Sequence, residues 1–104
     1  MILEVADIHV LPDRAGAFEQ AVREGIEATI SKSKGFCKFE LRRSIETPAR
    51  YLLLIHWETL EDHTEGFRGS PAYAQWRAIV GPFFEHAPSV EHFTAVPPSA
   101  PAAA

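Results

Sequence analysis

Residues 50–58 are the segment that most limits what this chain can fold into. Side chains of a strand alternate between its two faces, and here both faces are largely apolar: Tyr51, Leu53, Ile55 and Trp57 on one, Leu52, Leu54 and His56 on the other. A strand with this pattern needs cover on both sides. One layer of helices can cover only one of them.

The rest of the chain supplies the elements around this strand. Hydrophobic periodicity and turn residues predict strands at residues 2–11, 36–45, 50–58 and 89–96, a helix over about 13–33, and helical segments that begin near residues 59 and 70. Asp13 and Thr59 are expected to cap helices, and Gly35 to end the first helix in a left-handed conformation. The order is β-α-β-β-α-β with a split second helix, which predicts an α+β, ferredoxin-like fold with a four-stranded antiparallel sheet and helices on one face.

This fold also predicts that the chain forms an oligomer. A second copy laid sheet to sheet would cover the outer face of residues 50–58, so we expect a homodimer. The domain is expected to span residues 1–96. The proline- and alanine-rich residues 97–104 are expected to be a disordered tail.

Composition excludes several classes of partner. The 104 residues carry a net charge of −4 with scattered basic side chains, so no nucleic acid partner is expected. No apolar run reaches the roughly 18 residues that a membrane span requires, and no leader pattern precedes the first strand, so a cytoplasmic location is expected. The single Cys37 is interpreted as a small core residue. No histidine or carboxylate spacing has a metal signature, and no glycine spacing fits a phosphate loop, so neither a metal nor a cofactor is expected.

Residues 52–93 resemble the antibiotic-biosynthesis monooxygenase domain family. The matching positions are Trp57, His63, the Phe67-Arg68 pair, Ser70, Trp76 and the closing PSVEHF at residues 88–93. The resemblance implies a dimeric α+β barrel. It also implies cofactor-independent oxidation of an electron-rich aromatic, a quinol, polyphenol or polyketide, by O₂.

The chain departs from the family pattern in two respects. The haem-degrading branch uses an asparagine on strand one, a tryptophan in the short helix and an iron-binding histidine in the third helix, where this chain has Asp7, Gly66 or Phe67, and Trp76. Haem degradation is therefore not expected. A glutamate common near the end of strand three is replaced by Ile55 or displaced to Glu58.

Candidate catalytic residues are His63, Arg68 and Tyr73. Histidine is the natural base near neutral pH, and His63 lies on the apolar face of its helix. His92 and His9 are expected to share its side of the sheet, whereas His56 is expected to face the partner subunit. Arg68 and Tyr73 are candidate donors to an oxyanion. The alternatives are a buried His63 bonded to a backbone carbonyl and an Arg68 paired with Glu61 or Glu65.

The candidate substrate-binding residues are mainly aromatic. They are Trp57, Phe67, Trp76, Phe83 and His92, and the aromatic members are equally compatible with plain core packing. Two functions therefore remain open. One is the monooxygenase; the other is a non-oxidative isomerase, lyase or aromatic-metabolite binding protein on the same scaffold.

Overall fold

The structure, a computed structural model, describes residues 1–98, and its centre is a four-stranded antiparallel sheet. The strands are β1 (Ile2–His9), β2 (Phe36–Arg43), β3 (Arg50–Trp57) and β4 (Ser89–Phe93), in the spatial order β2-β3-β1-β4. The predicted ferredoxin-like α+β fold is confirmed. Most of the predicted disordered tail lies outside the described residues.

Two α-helices and one π-helical segment connect the strands. Helix α1 spans Ala15–Ala28, the π-helical segment spans Asp62–Phe67, and α2 spans Pro71–Val80. Short 3₁₀ turns lie at Pro12–Arg14, Ile30–Lys32 and Gly81–Phe83. No helix among residues 1–98 is long and apolar enough to cross a membrane.

The ends of α1 differ partly from the prediction. The Asp13 side chain caps nothing, because residues 12–14 form a 3₁₀ turn and Arg14 occupies the N-cap position. The helix ends at Ala28, since the Thr29 backbone leaves the helical region and its hydroxyl bonds the Gly25 carbonyl at 2.7 Å. Gly35 has a φ of +86°, as expected for a left-handed terminator.

The helices pack on one face of the sheet and leave the other open. The inner face carries the core residues of the two central strands, Ala6 and Ile8 of β1 and Tyr51, Leu53, Ile55 and Trp57 of β3. Alternate residues of the same strands, Leu3, Val5, Leu52, Leu54 and His56, lie partly exposed on the opposite face. We call those five residues the open face. Residues 50–58 are thus covered on one side by this chain's own helices.

Cys37 is exposed, so its interpretation as a core residue was wrong. Phe36 pairs with Trp57, but Lys38 pairs with His56, so Cys37 is the extra residue of a β-bulge. The bulge breaks the alternation on which the prediction depended. Phe39 and Leu41 still pack against the core.

Candidate functional site

The π-helical segment brings His63 and Phe67 to the inner face of the sheet. The Asp62 N–H donates to Thr59 Oγ1 at 3.1 Å, the expected cap. The Arg68 N–H reaches back five residues to the His63 carbonyl at 3.1 Å, which is the widened turn of a π-helix. The imidazole and the phenyl ring stack at 6.3 Å between centroids, and both residues are only 3% exposed.

His63 joins two side chains of neighbouring strands into one buried polar chain. Its Nδ1 lies 2.7 Å from His92 Nε2 on β4, and its Nε2 lies 3.3 Å from Glu4 Oε1 on β1. The Trp57 indole N–H donates to the same Glu4 oxygen at 2.9 Å. Strand register produces this arrangement, because Glu4 pairs directly with His92 across the β1–β4 ladder. We call Glu4, His63 and His92 the proton chain.

Burial sets the charge states within the proton chain. Burial, followed by the charges of Arg68 and His92, lowers the pKa of His63 to about 4, so His63 is neutral at pH 7. Burial also lowers the pKa of His92, with a further contribution from Arg68. Burial raises the pKa of Glu4, partly offset by the Trp57 N–H and by the Arg68 charge.

The hydrogen-bond network favours one arrangement of protons. Glu4 Oε1 already accepts the Trp57 N–H, and a carboxylate oxygen beside His63 Nε2 favours a proton on that nitrogen. His63 Nδ1 must then accept from His92 Nε2–H. The one imidazole nitrogen left with an unused lone pair is then His92 Nδ1, for which the described residues provide no hydrogen-bond partner. His92 is half-buried, so the outer end of the chain is its accessible end.

Aromatic rings enclose the inner end of the proton chain. Trp57 stacks on His63 at 5.3 Å and contacts Phe67 at 6.0 Å, and Tyr73 meets Phe67 edge-on at 5.6 Å. Trp57 is fully buried, whereas Tyr73 is half-buried. Thus Trp57 and Phe67 form the inner wall, and Tyr73 lies towards solvent.

Arg68 is exposed and forms neither of the ion pairs considered for it. Within residues 1–98, no carboxylate lies within 4 Å of its guanidinium. Its charge nevertheless affects the pKa of Glu4, His63 and His92 alike. A cation placed this way favours negative charge near the proton chain.

Two predicted aromatic site residues lie elsewhere. Trp76 packs against α1, where a Cβ on Gly25 would come within 2.8 Å of its ring. Phe83 lies at the far end of β1, contacts Phe18 at 6.1 Å and lies under the Arg14 guanidinium. Trp76 belongs to the buried core and Phe83 packs against it. Among the described residues, the ring contacts of His63 involve neither of them.

The histidines divide between the two faces of the sheet. His92 lies on the inner face with His63, but His9 has the parity of the open face and contacts His86 at 5.0 Å between centroids. The expectation that His9 shares the space of His63 was therefore wrong, because an odd-numbered β1 residue points away from Glu4. His56 lies on the open face, as its parity predicted.

Glu4 is the site residue that the sequence reading missed. It is 6% exposed and lies directly opposite Ile55 of β3. The available signal was parity, since Glu4 shares the inward positions of Ala6 and Ile8.

Two surface clefts lie away from the proton chain. One of about 380 Å³ lies between Thr29, Lys32, Asp62 and the start of α2, and one of about 350 Å³ lies between α1 and β2 beside Tyr51. Glu4, His63 and His92 line neither cleft. Access to the proton chain is therefore through the half-exposed His92.

Comparisons with known proteins agree on one family. Residues 1–79 match the family model described as antibiotic biosynthesis monooxygenase. The chain is 44% identical over 93 residues to the uncharacterised protein YczJ of Bacillus subtilis (strain 168), covering 89% of this chain and 97% of YczJ.

Solved structures share the fold over nearly the whole chain. A Bordetella bronchiseptica protein assigned to the antibiotic biosynthesis monooxygenases superposes with a TM-score of 0.87 at 38% identity, covering 91% of this chain and 96% of that one. A variant of SnoaB, a cofactor-independent oxygenase from Streptomyces nogalater, superposes with a TM-score of 0.77 at 16% identity, covering 96% of each chain. At that identity the second match concerns the fold alone.

Proposed function

Because the chain belongs to the antibiotic biosynthesis monooxygenase family, we propose that it oxidises an electron-rich phenol or quinol with O₂ and without a cofactor. The observation that carries this proposal is the buried proton chain, which ends in an accessible lone pair on His92. SnoaB, a cofactor-independent oxygenase, has the same fold. The reaction class is proposed from the family, and the residue roles are proposed from the geometry.

The first chemical step is removal of a phenolic proton. His92 Nδ1 takes the proton, and the resulting imidazolium passes its Nε2 proton towards His63 Nδ1, only 2.7 Å away. His63 can in turn release its Nε2 proton towards Glu4, whose raised pKa suits a proton acceptor. The proton chain thus carries the positive charge of the abstracted proton away from the reacting phenolate.

The remaining steps take their electrons from the substrate. The phenolate transfers one electron to O₂, and the phenoxyl radical and superoxide combine to form a C–O bond. The peroxide takes up a proton, its O–O bond breaks, and loss of the ring C–H proton with hydroxide, as water, leaves a quinone carbonyl. One oxygen atom enters the ring and the other leaves as water, so no external reductant is needed.

Side chains around the proton chain have distinct proposed roles. Arg68 and Tyr73 stabilise the phenolate and the superoxide-like oxygen, because a nearby positive charge and an O–H donor both favour negative charge. Trp57 and Phe67 form the apolar inner wall that limits access of water. Trp76 and Phe83 have packing roles in this proposal.

Oxygen uptake tests the proposal directly. Purified protein is incubated with a panel of hydroquinones and polyphenols, and O₂ consumption is followed together with quinone absorbance. Removing a positioned general base costs about 10²- to 10⁴-fold in rate, so His92→Ala and Glu4→Gln should lose most activity. Glu27→Gln, the same substitution as Glu4→Gln but at an exposed carboxylate of α1, is the matched control and should retain it.

The outcome of this assay also separates the alternatives. A proton chain serves an isomerase or lyase equally well, because those reactions need acid and base but no O₂. Turnover of the same substrates under nitrogen would replace the monooxygenase with that function. Tight binding without turnover would indicate a binding protein.

A homodimer through the open face is part of the proposed functional form. Leu52 and Leu54 are aliphatic residues of β3 that lie partly exposed on the open face. They are flanked by basic Lys38 and Arg42 on β2 and acidic Glu91 on β4. Leu54→Asp should give a monomer by sedimentation or light scattering. Ile45→Asp, at a residue 91% exposed outside the sheet, should remain dimeric. A monomeric wild-type protein at micromolar concentration would contradict the dimer.

The predicted cytoplasmic location stays a prediction.

A further inference from the structure

A second cluster of titratable side chains lies at the other end of β1. His9, Glu85 and His86 each present a ligand atom, and these atoms all lie within 4.8 Å of one another. His9 is five residues along β1 from Glu4 and on the opposite face, a separation of roughly 17 Å at 3.3 Å per residue. The cluster is therefore separate from the proton chain.

Backbone hydrogen bonds hold the two halves of this cluster together. Val10 forms an antiparallel bridge with Phe84, and the Glu85 N–H donates to the His9 carbonyl at 2.8 Å. The Leu11 N–H donates to the Phe83 carbonyl at 3.0 Å on the other side of the bridge. His9 and Glu85 are consequently cross-strand neighbours, so their side chains project to the same side.

The two imidazole rings lie close enough to reach a shared ligand. Their centroids lie 5.0 Å apart with an interplanar angle of 34°. Ligand atoms of a tetrahedral zinc ion with bonds of about 2.0–2.2 Å lie roughly 3.5 Å apart. To reach that distance from 4.8 Å, the ligand atoms must move by about 1 Å, which half-exposed and exposed side chains permit by changing their torsion angles.

Groups behind the two histidines favour the same arrangement. His86 Nδ1 lies 3.2 Å from the Ala87 carbonyl, to which its N–H donates, and this leaves the Nε2 lone pair free. Metal-binding histidines commonly direct their other N–H to a backbone carbonyl in this way. Asp7 places a carboxylate oxygen 3.6 Å from His9 Nε2 and is itself held by Arg50 at 2.7 Å.

We propose that His9, Glu85 and His86 bind a first-row transition metal dication such as Zn²⁺. Two imidazoles and one carboxylate are donors of the type that zinc accepts, and three protein ligands leave a fourth position for water. Residue spacing does not reveal this site, because His9 lies near the start of the chain and Glu85 and His86 lie near its end. The proposal is independent of the proposed oxygenase activity.

Zinc titration of tag-free protein tests the site. All measurements use a Cys37→Ser background, because the exposed thiol is a competing zinc ligand. Competition with a chromophoric zinc chelator at neutral pH should give one bound Zn²⁺ per chain. His9→Ala and His86→Ala should each weaken binding at least about tenfold, since even the loss of an outer-shell partner has that effect. Glu85→Gln should also weaken zinc binding.

His56→Ala provides the matched control, because His56 lies on the same side of the sheet without a second histidine beside it. Its zinc affinity should equal that of the background protein, and circular dichroism should show that every variant keeps its fold. Absence of zinc binding by the background protein would overturn the proposal. Zinc affinity unchanged in both His9→Ala and His86→Ala would overturn it as well.

Discussion

Replacing His63 with glutamine should remove a large part of the protein's sensitivity to acid. Burial lowers the pKa of His63 to about 4 in the folded chain, whereas an unfolded chain has the ordinary histidine value of about 6.5. Between these two values the unfolded chain binds a proton that the folded chain does not. The free energy of unfolding therefore falls as the pH falls through this window, and the stability contributed by neutral His63 is fully present above about pH 6.5.

The size of the effect follows from the same two pKa values. Each pKa unit corresponds to about 1.4 kcal/mol, so the full difference amounts to about 3 kcal/mol. About 2 kcal/mol of it is lost between pH 7 and pH 5, where the folded imidazole is still neutral. Glu4 contributes with the opposite sign, because a raised carboxyl pKa means that the folded state binds the extra proton. Glu4 is present in both proteins, so comparing them isolates His63 to first order.

Urea denaturation at several pH values from 5 to 7 provides the measurement. Wild-type protein should lose about 2 kcal/mol more than His63→Gln across this range, whatever their difference in stability at pH 7. An NMR titration of the imidazole in the folded protein gives the pKa independently. Parallel stability curves for the two proteins would refute the reasoning. They would mean that His63 has the same pKa in the folded and unfolded chains, so that burial does not hold it neutral.

Two further predictions concern packing and hydrogen bonding, and both use urea denaturation. Gly25→Ala places a Cβ about 2.8 Å from the Trp76 ring and should destabilise the fold by about 1–3 kcal/mol. In the control Gly16→Ala the new Cβ meets no atom within 4 Å, so this variant should be neutral or stabilising. Equal effects of the two substitutions would contradict the close packing of α1 and α2. Tyr51→Phe removes a 2.5 Å hydrogen bond from a buried hydroxyl to an α1 carboxylate and should cost about 1–2 kcal/mol, whereas Tyr73→Phe should change stability by less than about 0.5 kcal/mol. An equal cost at Tyr73 and Tyr51 would contradict the assigned role of the Tyr51 hydroxyl.

The apolar residues on both faces of β3 predicted the fold, because they mark a strand that lies inside the sheet. Strand period, helix period and element order all depend on local sequence, and each agreed with a ferredoxin-like arrangement. The same local reasoning misplaced Cys37. A bulge changes which residue faces inward without changing the apolar pattern on either side of it.

Only part of the proton chain could be predicted from the sequence, because the chain depends on strand pairing. His63 and His92 carry residue types that point to proton transfer, and helix and strand parity places each on the inner face. Glu4 reads as an ordinary charged residue until the register of β1 against β4 is known, because its partners are distant in sequence. Strand pairing, and with it the shared environment of three titratable groups, is a property of the tertiary structure.

The proposed base, His92, and the residue expected to destabilise the fold in acid, His63, are different members of the same proton chain. His63 is held neutral by burial, and only a neutral His63 can accept from His92 Nε2–H while donating to Glu4. Protonation of His63 would add a second N–H facing His92 and would remove the acceptor that orients it. Burial therefore makes His63 costly to protonate and, for the same reason, keeps the lone pair of His92 directed outward at neutral pH. His63→Gln should therefore change mainly the stability of the protein in acid, whereas His92→Ala should change mainly the proposed activity, although the two side chains share one 2.7 Å contact.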